Sequence, residues 1–335
     1  MKKYTLLCLI LLVYNISVSQ EIRGVVLDGI TNLPLESVSV YFDQTTIGTT
    51  TNQKGEFTLN NTNIKTPLII SYLGYNKKSI YKYSTVEVEE FYLFESVNLL
   101  DEIIINTNDD WSRDLKLKEF KRHYLGDSKR GRSCRIQNDD DLILKFNKKT
   151  KKLFATSKVP IIIKNDLLNY TININLDYFE ASYRFVSKNK KRLNIEKVSY
   201  FGSSHYKSYP SPLLKNVLEE RNSAYRGSVL HFMRALSKNK LNEKGYQVYL
   251  ANGLSDPTKI INLKQLKNGK GVFVKLKGDL SIIYKNGNQS KIEVLDDEFF
   301  IDSFGNHQPP LSIQFYGNLG EQRIGDTVPR DFHPI

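Results

Sequence analysis

The sequence predicts a mainly β protein, in which an N-terminal antiparallel β-sandwich precedes a larger β-rich α+β domain. Three observations lead to this prediction. First, short segments in which apolar and polar residues alternate fill positions 21–106, with turn residues between them. Second, a polar stretch and then a stretch with helical periodicity begin the rest of the chain. Third, residues 107–335 contain further alternating segments and one long helical region. The chain has 335 residues, 40% of them hydrophobic and 25% charged, which is typical of globular proteins with about two domains.

Residues 1–20 have the pattern of a secretory signal peptide. A basic start precedes an apolar run over residues 4–14, and small residues follow at 17–19. This apolar run is too short to cross a bilayer as a helix. We therefore expect export, with cleavage after Ser19 or Gln20. The mature chain should lie in the periplasm or at the outer membrane or cell surface, with no transmembrane span.

Cleavage would leave a single cysteine, Cys134, because Cys8 lies in the predicted leader. The mature chain could then form no internal disulfide, so its stability must come from the hydrophobic core. No pattern of histidine and asparagine around Cys134 indicates a nucleophile. We expect a buried, small apolar side chain at this position.

The charge of the chain changes near residue 105. Residues 21–105 carry 6 basic and 11 acidic side chains, whereas residues 106–335 carry 40 basic and 25 acidic ones. This change supports two domains, 21–106 and 107–335.

The basic residues of the second domain form three clusters. Such clusters can bind polyanions or lie in solvated turns, and we favour turns because the middle cluster falls where a hairpin is expected. Nucleic acid is not expected as a partner of an exported protein. The clusters are Lys129, Arg130, Arg132 and Arg135; Lys148, Lys149, Lys151 and Lys152; and Lys188, Lys190, Lys191 and Arg192.

The alternating segments of residues 21–106 are bounded by turn residues such as Asp28-Gly29 and Gly74, and no helix pattern occurs among them. About seven strands in about 85 residues predict a sandwich, because the apolar face of one sheet needs a second sheet to cover it. The candidate strands are 22–27, 37–42, 56–59, 68–72, 86–94 and 101–106.

The order of these residues resembles the carboxypeptidase-like regulatory domain, a transthyretin-like sandwich that also precedes the plug of many TonB-dependent outer-membrane receptors. Asn52 stands where the family usually has aspartate, and both residues suit a turn. The resemblance implies the sandwich fold, but it implies no particular function. The matching positions are Ile22, Gly24, Val26, Asp28, Pro34, Leu35, Val38, Val40, Gly48, Thr49, Thr51, Asn52, Gly55, Phe57, Leu68, Ile69, Ile70, Ser71, Gly74 and Tyr75.

Two helical regions interrupt the strands of the second domain. In residues 107–126, Leu117, Phe120 and Tyr124 share a helix face and Gly126 is a stop signal. Residues 213–236 form the one long helical region. Candidate strands lie at 142–146, 153–157, 159–164, 170–176, 197–201, 247–250, 272–276, 280–284, 291–295 and 311–316.

The second domain looks like the uncharacterised C-terminal region that accompanies this sandwich in secreted proteins. The segments that carry the resemblance are 134–138, 153–155, 160–165 and 225–236. This resemblance implies no activity.

No known catalytic motif occurs. A zinc carboxypeptidase needs His-x-x-Glu and a distant histidine, and no histidine of this chain has glutamate three positions later. A Gly-x-Ser-x-Gly motif and a phosphate-binding loop are absent too. The acidic runs 139–141 and 296–298 lack EF-hand spacing and are read as solvated turns. We therefore assign no catalytic, cofactor-binding or metal-binding residue and expect no cofactor.

The densest polar group lies on the long helical region and comprises Arg221, Arg226, Ser228, His231 and Arg234. Ser228 and His231 are three residues apart and would share a face, but no carboxylate is spaced to orient the imidazole. Phe232 belongs to an apolar stripe that should face the core, whereas Ser228 lies off that stripe and its loss should change stability little.

These observations favour a non-enzymatic, exported envelope module. In this hypothesis the sandwich acts as a docking domain and the basic region binds an envelope protein or a polyanionic glycan or lipid headgroup. Two alternatives stay open: a hydrolase without a recognisable motif that uses residues such as Ser228 and His231, and a purely structural spacer.

Overall fold

The computed structural model describes residues 21–60, 64–96, 109–209, 214–250, 253–254, 260–266, 271–285, 287–309 and 311–335. The predicted leader, the candidate strand at 101–106 and the predicted boundary between residues 106 and 107 lie outside these ranges. The described part of the chain is mainly β, with several antiparallel sheets, as the sequence predicts.

The N-terminal unit consists of two facing sheets. One sheet has the strand order β4-β1-β7 and the other β3-β2-β5-β6. The strands are β1 (Glu21–Asp28), β2 (Ser39–Phe42), β3 (Gly48–Thr50), β4 (Glu56–Asn60), β5 (Leu68–Ser71), β6 (Lys78–Ile80) and β7 (Val88–Leu93). Alternate side chains of β1 and β4 are buried, as the sandwich prediction requires.

Two features of this unit differ from the sequence prediction. β7 pairs with β1 in parallel, so the sandwich is not antiparallel throughout. This happens because β6, the strand before β7, belongs to the other sheet, and the chain then crosses back to the sheet of β1. β3 and β6 were not predicted, since three residues each are too few to show an alternating pattern.

A second unit is built around one long hairpin. β12 (Tyr170–Val186) pairs with β13 (Leu193–Ser208) along its length. On its other edge β12 pairs with β11 (Ile161–Asn165) and then with β10 (Lys152–Ser157). β8 (Cys134–Ile136) pairs with β11, and β9 (Leu142–Asn147) pairs with β10. The lysine cluster at 148–152 therefore forms the turn between β9 and β10, as predicted.

Helix α1 (Arg113–Tyr124) packs on this sheet and has well-defined ends. The Ser112 hydroxyl accepts the backbone N–H of Leu115 at its start. At the other end Gly126 has φ of 101°, which confirms the stop that the sequence predicts there. A short helix, α2 (Lys129–Ser133), follows.

The predicted long helical region is two helices, α3 (Lys215–Tyr225) and α4 (Val229–Ser237). Gly227 has φ of 76° and separates them. The Ser228 hydroxyl accepts the backbone N–H of His231 and so begins the second helix. The break occurs because Gly227 readily takes a backbone conformation that ends α3, and the following serine is a strong helix start.

The C-terminal unit also has two sheets, with orders β15-β14-β18-β19-β22 and β16-β17-β20-β21. Its strands are β14 (Tyr246–Leu250), β15 (Gly253–Leu254), β16 (Ile261–Gln265), β17 (Gly271–Leu276), β18 (Leu280–Tyr284), β19 (Asn288–Val294), β20 (Glu298–Asp302), β21 (His307–Gln308) and β22 (Ile313–Gly317). Helix α4 packs against it with Phe232, Met233 and Leu236 buried. Within the described ranges, no helix is both long and apolar enough to span a membrane.

Each of the three units has its own buried apolar cluster. The final residues then connect them. Val328 is buried in the cluster of the second unit, the Thr46 backbone N–H of the sandwich donates to Asp331 at 2.9 Å, and Arg234 of α4 donates to the carbonyl of Phe332 at 2.7 Å. The C-terminal segment therefore contacts all three units.

The sandwich also joins β13 directly. The backbone N–H of Gln44 donates to the carbonyl of Ser204 at 2.7 Å, and the N–H of Tyr206 donates to the carbonyl of Thr45 at 2.9 Å. These two hydrogen bonds connect the sandwich to the long hairpin through the backbone.

Candidate functional site

Ser228 and His231 are not arranged as a nucleophile and its base. The Ser228 hydroxyl contacts the backbone N–H of His231 at 3.0 Å, not the imidazole. Nδ1 of His231 lies 3.1 Å from the donating N–H of Gly227 and 2.9 Å from the Tyr246 hydroxyl. Burial lowers the pKa of His231 to about 4, so the ring is neutral at pH 7. Both side chains serve to hold the start of α4.

The two buried arginines of the same group bind backbone carbonyls. Arg221 donates from Nε to Leu168 at 2.8 Å and from Nη2 to Asn169 at 3.0 Å, and its guanidinium lies 3.7 Å from the centre of the Tyr170 ring. Arg234 donates to three carbonyls of the C-terminal half. Both arginines therefore fasten the helices to neighbouring segments.

Cys134 and the acidic runs have structural surroundings as well. Cys134 is buried, and burial raises the pKa of its thiol to about 12, so it is not a thiolate at neutral pH. Asp139 pairs with Lys121 at 2.7 Å, and Asp297 pairs with Lys275 at 3.2 Å. Among the residues that the structure describes, no group of three or more His, Cys, Asp or Glu side chains is placed to hold a metal ion.

His205 is a residue of β13 whose ring faces the sandwich. Its ring stacks on Tyr41 with centroids 4.9 Å apart, and Nε2 has no hydrogen-bond partner among the described residues. Burial, aided by the charge of Lys207, lowers the pKa of His205 to about 4. The imidazole is therefore buried in its neutral form.

We expect this histidine to make the fold sensitive to acid. Between pH 6.5 and 4 the unfolded chain binds a proton that the folded chain does not, so stability falls as the pH falls through this range. Lowering the pH from 7 to 5 should cost about 2 kcal/mol from His205. Denaturant titrations at pH 7 and pH 5 measure this loss in the free energy of unfolding. In His205→Phe the loss should be smaller than in the wild type by about 2 kcal/mol. If His205→Phe loses as much stability between pH 7 and pH 5 as the wild type does, the assignment is contradicted.

The first of the three basic clusters is neutralised by ion pairs, and the second is neutralised in part. Arg130, Arg132 and Arg135 pair with Glu220, Asp127 and Asp166. In the turn between β9 and β10, Lys148 pairs with Asp110 and Lys152 with Glu180. The first cluster therefore offers few free charges to a ligand, whereas Lys149 and Lys151 of the second have no ion pair among the described residues.

The third cluster lies on one wall of a groove of about 670 Å³. The turn between β12 and β13 supplies Lys190, Lys191 and Arg192 to this wall. Lys190 is held by Asp110, with its Nζ 3.5 Å from the carboxylate. This contact fixes the turn next to the segment that leads into α1.

Helix α1 forms the opposite wall of this groove. Leu115, Lys118, Glu119 and Arg122 line it, and their spacing of three and four residues places them on one face of the helix. Phe185, which is 52% exposed, contributes an aromatic ring. We call this feature the basic groove, defined by Lys118, Arg122, Phe185, Lys190, Lys191 and Arg192.

The electrostatic balance of the basic groove is strongly positive. Lys118, Lys191 and Arg192 have no side-chain ion pair among the described residues, and Arg122 reaches Asp127 only at 3.8 Å. The acidic lining residue, Glu119, is buried and accepts the Tyr183 hydroxyl at 3.2 Å. Its carboxylate also lies 3.3 Å from Nε2 of His123, so the carboxylate already has partners within the second unit.

Comparison with known families assigns the N-terminal unit. Residues 22–105 match the CarboxypepD_reg-like domain family. This stretch is a CarboxypepD_reg-like domain, as the residue pattern predicts. No curated protein matches the chain. The basic groove belongs to the second unit, beyond the residues that this family covers.

The convergence of these cations was not predicted from the sequence. The cluster at 188–192 was recognised, but Lys118 and Arg122 belong to a helix some seventy positions earlier. The helical spacing of 115, 118, 119 and 122 is visible in the sequence. Only the packing of α1 beside the β12–β13 turn shows that it faces the cluster.

Proposed function

We propose that this protein is an exported envelope module that binds a polyanion in the basic groove. The single observation that carries this proposal is the set of cations on two opposing walls, Lys118 and Arg122 on α1 and Lys191 and Arg192 on the β12–β13 turn, of which only Arg122 has an ion pair among the described residues, at 3.8 Å. Two walls of like charge around a concave surface focus the potential and attract a chain of anionic groups. In this proposal the sandwich docks and orients the second unit.

The groove suits sulfate or phosphate groups on a flexible polymer or a lipid headgroup. Arg122 and Arg192 can each offer a planar fork of donors to such a group. Phe185 adds an apolar surface for the carbon skeleton that joins the anionic groups. The polymer and the lipid headgroup share one chemistry, anionic groups joined by a carbon skeleton.

The proposal is tested by binding to heparin, a polysulfated glycan, measured by isothermal titration calorimetry at several salt concentrations. Affinity should fall as salt rises, because exposed charges are screened. The double variant Lys191→Glu/Arg192→Glu should bind at least about tenfold more weakly, equivalent to about 1.4 kcal/mol.

A matched control carries the same change of charge on the sandwich. Lys54 and Lys82 are exposed there, so Lys54→Glu/Lys82→Glu should leave heparin affinity within about twofold. Equal weakening by both double variants would show that only net charge matters and would contradict a specific groove.

Vesicles separate the two sources of anions. Sedimentation with phosphatidylglycerol vesicles, compared with phosphatidylcholine vesicles, reports binding to lipid headgroups. Binding to heparin without sedimentation identifies a glycan, and the reverse identifies a lipid. Failure of both probes would overturn the proposal.

Export is the second part of the proposal, and it rests on the pattern of residues 1–20. Protein isolated from the native envelope should have its N-terminus at Gln20 or Glu21 when analysed by mass spectrometry. An intact Met1 on cytoplasmic material would contradict it.

A further inference from the structure

A separate cavity of about 390 Å³ lies where the three units meet. Gln44 of the sandwich, Ser204 of β13, Leu230 of α4 and Val328 of the C-terminal segment all line it. Its volume is within the range of pockets that bind small organic molecules, and junctions between units are common places for such pockets. It shares no lining residue with the basic groove.

Two mostly buried residues with hydroxyl groups, Tyr124 and Ser204, line this cavity. Tyr124 is 2% exposed and Ser204 is 5% exposed. Neither side-chain oxygen makes a hydrogen bond to another described residue, and neither belongs to the fully enclosed polar atoms that lack a partner, so both stay accessible from the cavity. Burial raises the pKa of Tyr124 well above its usual range, so its phenol keeps its proton and can donate. Both hydroxyls can therefore donate to a ligand in the cavity without breaking a bond within the protein.

Further donors line the same cavity. The Gln322 amide oxygen accepts the N–H of Val229 at 3.2 Å, which leaves the amide N–H groups free. Arg330 donates from Nε to Gln44 at 2.8 Å and from Nη1 to Asn306, while Nη2 has no partner among the described residues. Among the residues that the structure describes, no carboxylate lines this cavity. Asp43 and Asp302 lie near Arg330 and offset part of its charge.

The rest of the cavity wall is mainly apolar. Ile174, Val229, Leu230, Ile324 and Val328 line it. A ligand that fits both parts therefore carries acceptor oxygens at one end and an apolar body at the other. A carboxylate meets the first requirement best, because it only accepts hydrogen bonds and has room for several donors.

We propose that this cavity binds a small monocarboxylate with an apolar body, such as a medium-chain fatty acid. The Tyr124 and Ser204 hydroxyls donate to the carboxylate, and the aliphatic wall covers the chain. Burial of the chain supplies most of the binding free energy, and the hydroxyls select the charged oxygen-rich end.

The test is isothermal titration calorimetry of the full chain with decanoate and with decanol. We expect decanoate to bind with one site per chain and decanol to bind at least about tenfold more weakly. Equal affinity for the two probes would overturn the assignment of a carboxylate site. No binding of decanoate at millimolar concentration would overturn the proposal as a whole.

Tyr124→Phe is the decisive variant because it removes one oxygen that makes no bond within the protein. Its melting temperature should be unchanged, since no hydrogen bond within the described residues is lost. Its affinity for decanoate should fall about tenfold, and Ser204→Ala should show a similar loss. Tyr92→Phe is the control that should bind normally, because Tyr92 is a half-buried tyrosine of the sandwich whose hydroxyl bonds to Glu90 and does not line the cavity. Wild-type affinity in both Tyr124→Phe and Ser204→Ala would contradict the proposal.

This site and the basic groove are tested independently. Heparin binding should be normal in Tyr124→Phe, and decanoate binding should be normal in Lys191→Glu/Arg192→Glu. A decanoate affinity that falls in the charge-reversal variant but not in Tyr124→Phe would place the fatty acid in the basic groove and overturn the cavity assignment.

Discussion

Replacing Arg234 with alanine is expected to lower the free energy of unfolding by about 3–5 kcal/mol. Its guanidinium donates to the carbonyls of Phe304 at 2.8 Å, Phe332 at 2.7 Å and Arg330 at 2.8 Å, and the residue is 6% exposed. Alanine would leave these carbonyls without their charged donor and would loosen the C-terminal segment from α4. Urea titration measures the loss.

Two variants show whether this loss comes from the hydrogen bonds. Lys238→Ala removes the same charge from an exposed position just after α4 and should cost less than about 0.5 kcal/mol. Arg234→Lys keeps the charge without the planar fork and should fall between wild type and alanine. Equal stability of Arg234→Ala and Lys238→Ala would contradict the anchoring role.

Phe232→Ala should destabilise the protein by a similar amount, about 3–5 kcal/mol. The ring is fully buried and meets Tyr246 edge-on with centroids 5.2 Å apart. Truncation would open a cavity between α4 and the C-terminal sheets. Thermal melts or urea titration report the change, and a loss below about 1 kcal/mol would contradict the position of this helix.

Ser228→Ala is the informative companion of this variant. The sequence pattern alone predicted little effect, but the hydroxyl accepts the N–H of His231 at the start of α4. We therefore expect a loss of about 1 kcal/mol, which Ser228→Thr should largely restore because threonine also begins helices. If alanine at Ser228 is neutral, the capping contact does not stabilise the helix.

The sequence predicts those parts of the fold that repeat locally. The alternation in β1 and β4 predicts the sandwich, and Gly126 ends α1 where the pattern indicates. The three-residue strands escape prediction, since no periodicity develops over such lengths. The long β12–β13 hairpin extends beyond its predicted strands. The residues of β13 after Leu193 are exposed and show no alternation, and they form a strand because they pair with β12.

The candidate sites depend on contacts between distant segments. A cluster at 188–192 is evident in the sequence, but its neighbours on α1 are set by tertiary packing. The anchoring role of Arg234 could not be predicted from the sequence either, because its partners are the backbone carbonyls of Phe304, Arg330 and Phe332. Backbone carbonyls have no signature in a sequence, so a buried arginine that binds them looks like part of a polar site.

Hydrogen–deuterium exchange with and without heparin tests the central claim, binding of a polyanion in the basic groove, most directly. The amides of α1 (Arg113–Tyr124) and of residues 186–194 should exchange more slowly with heparin present, and those of the β9–β10 turn should be unchanged. Slower exchange at the β9–β10 turn or α2, with no change in α1 and residues 186–194, would contradict the claim.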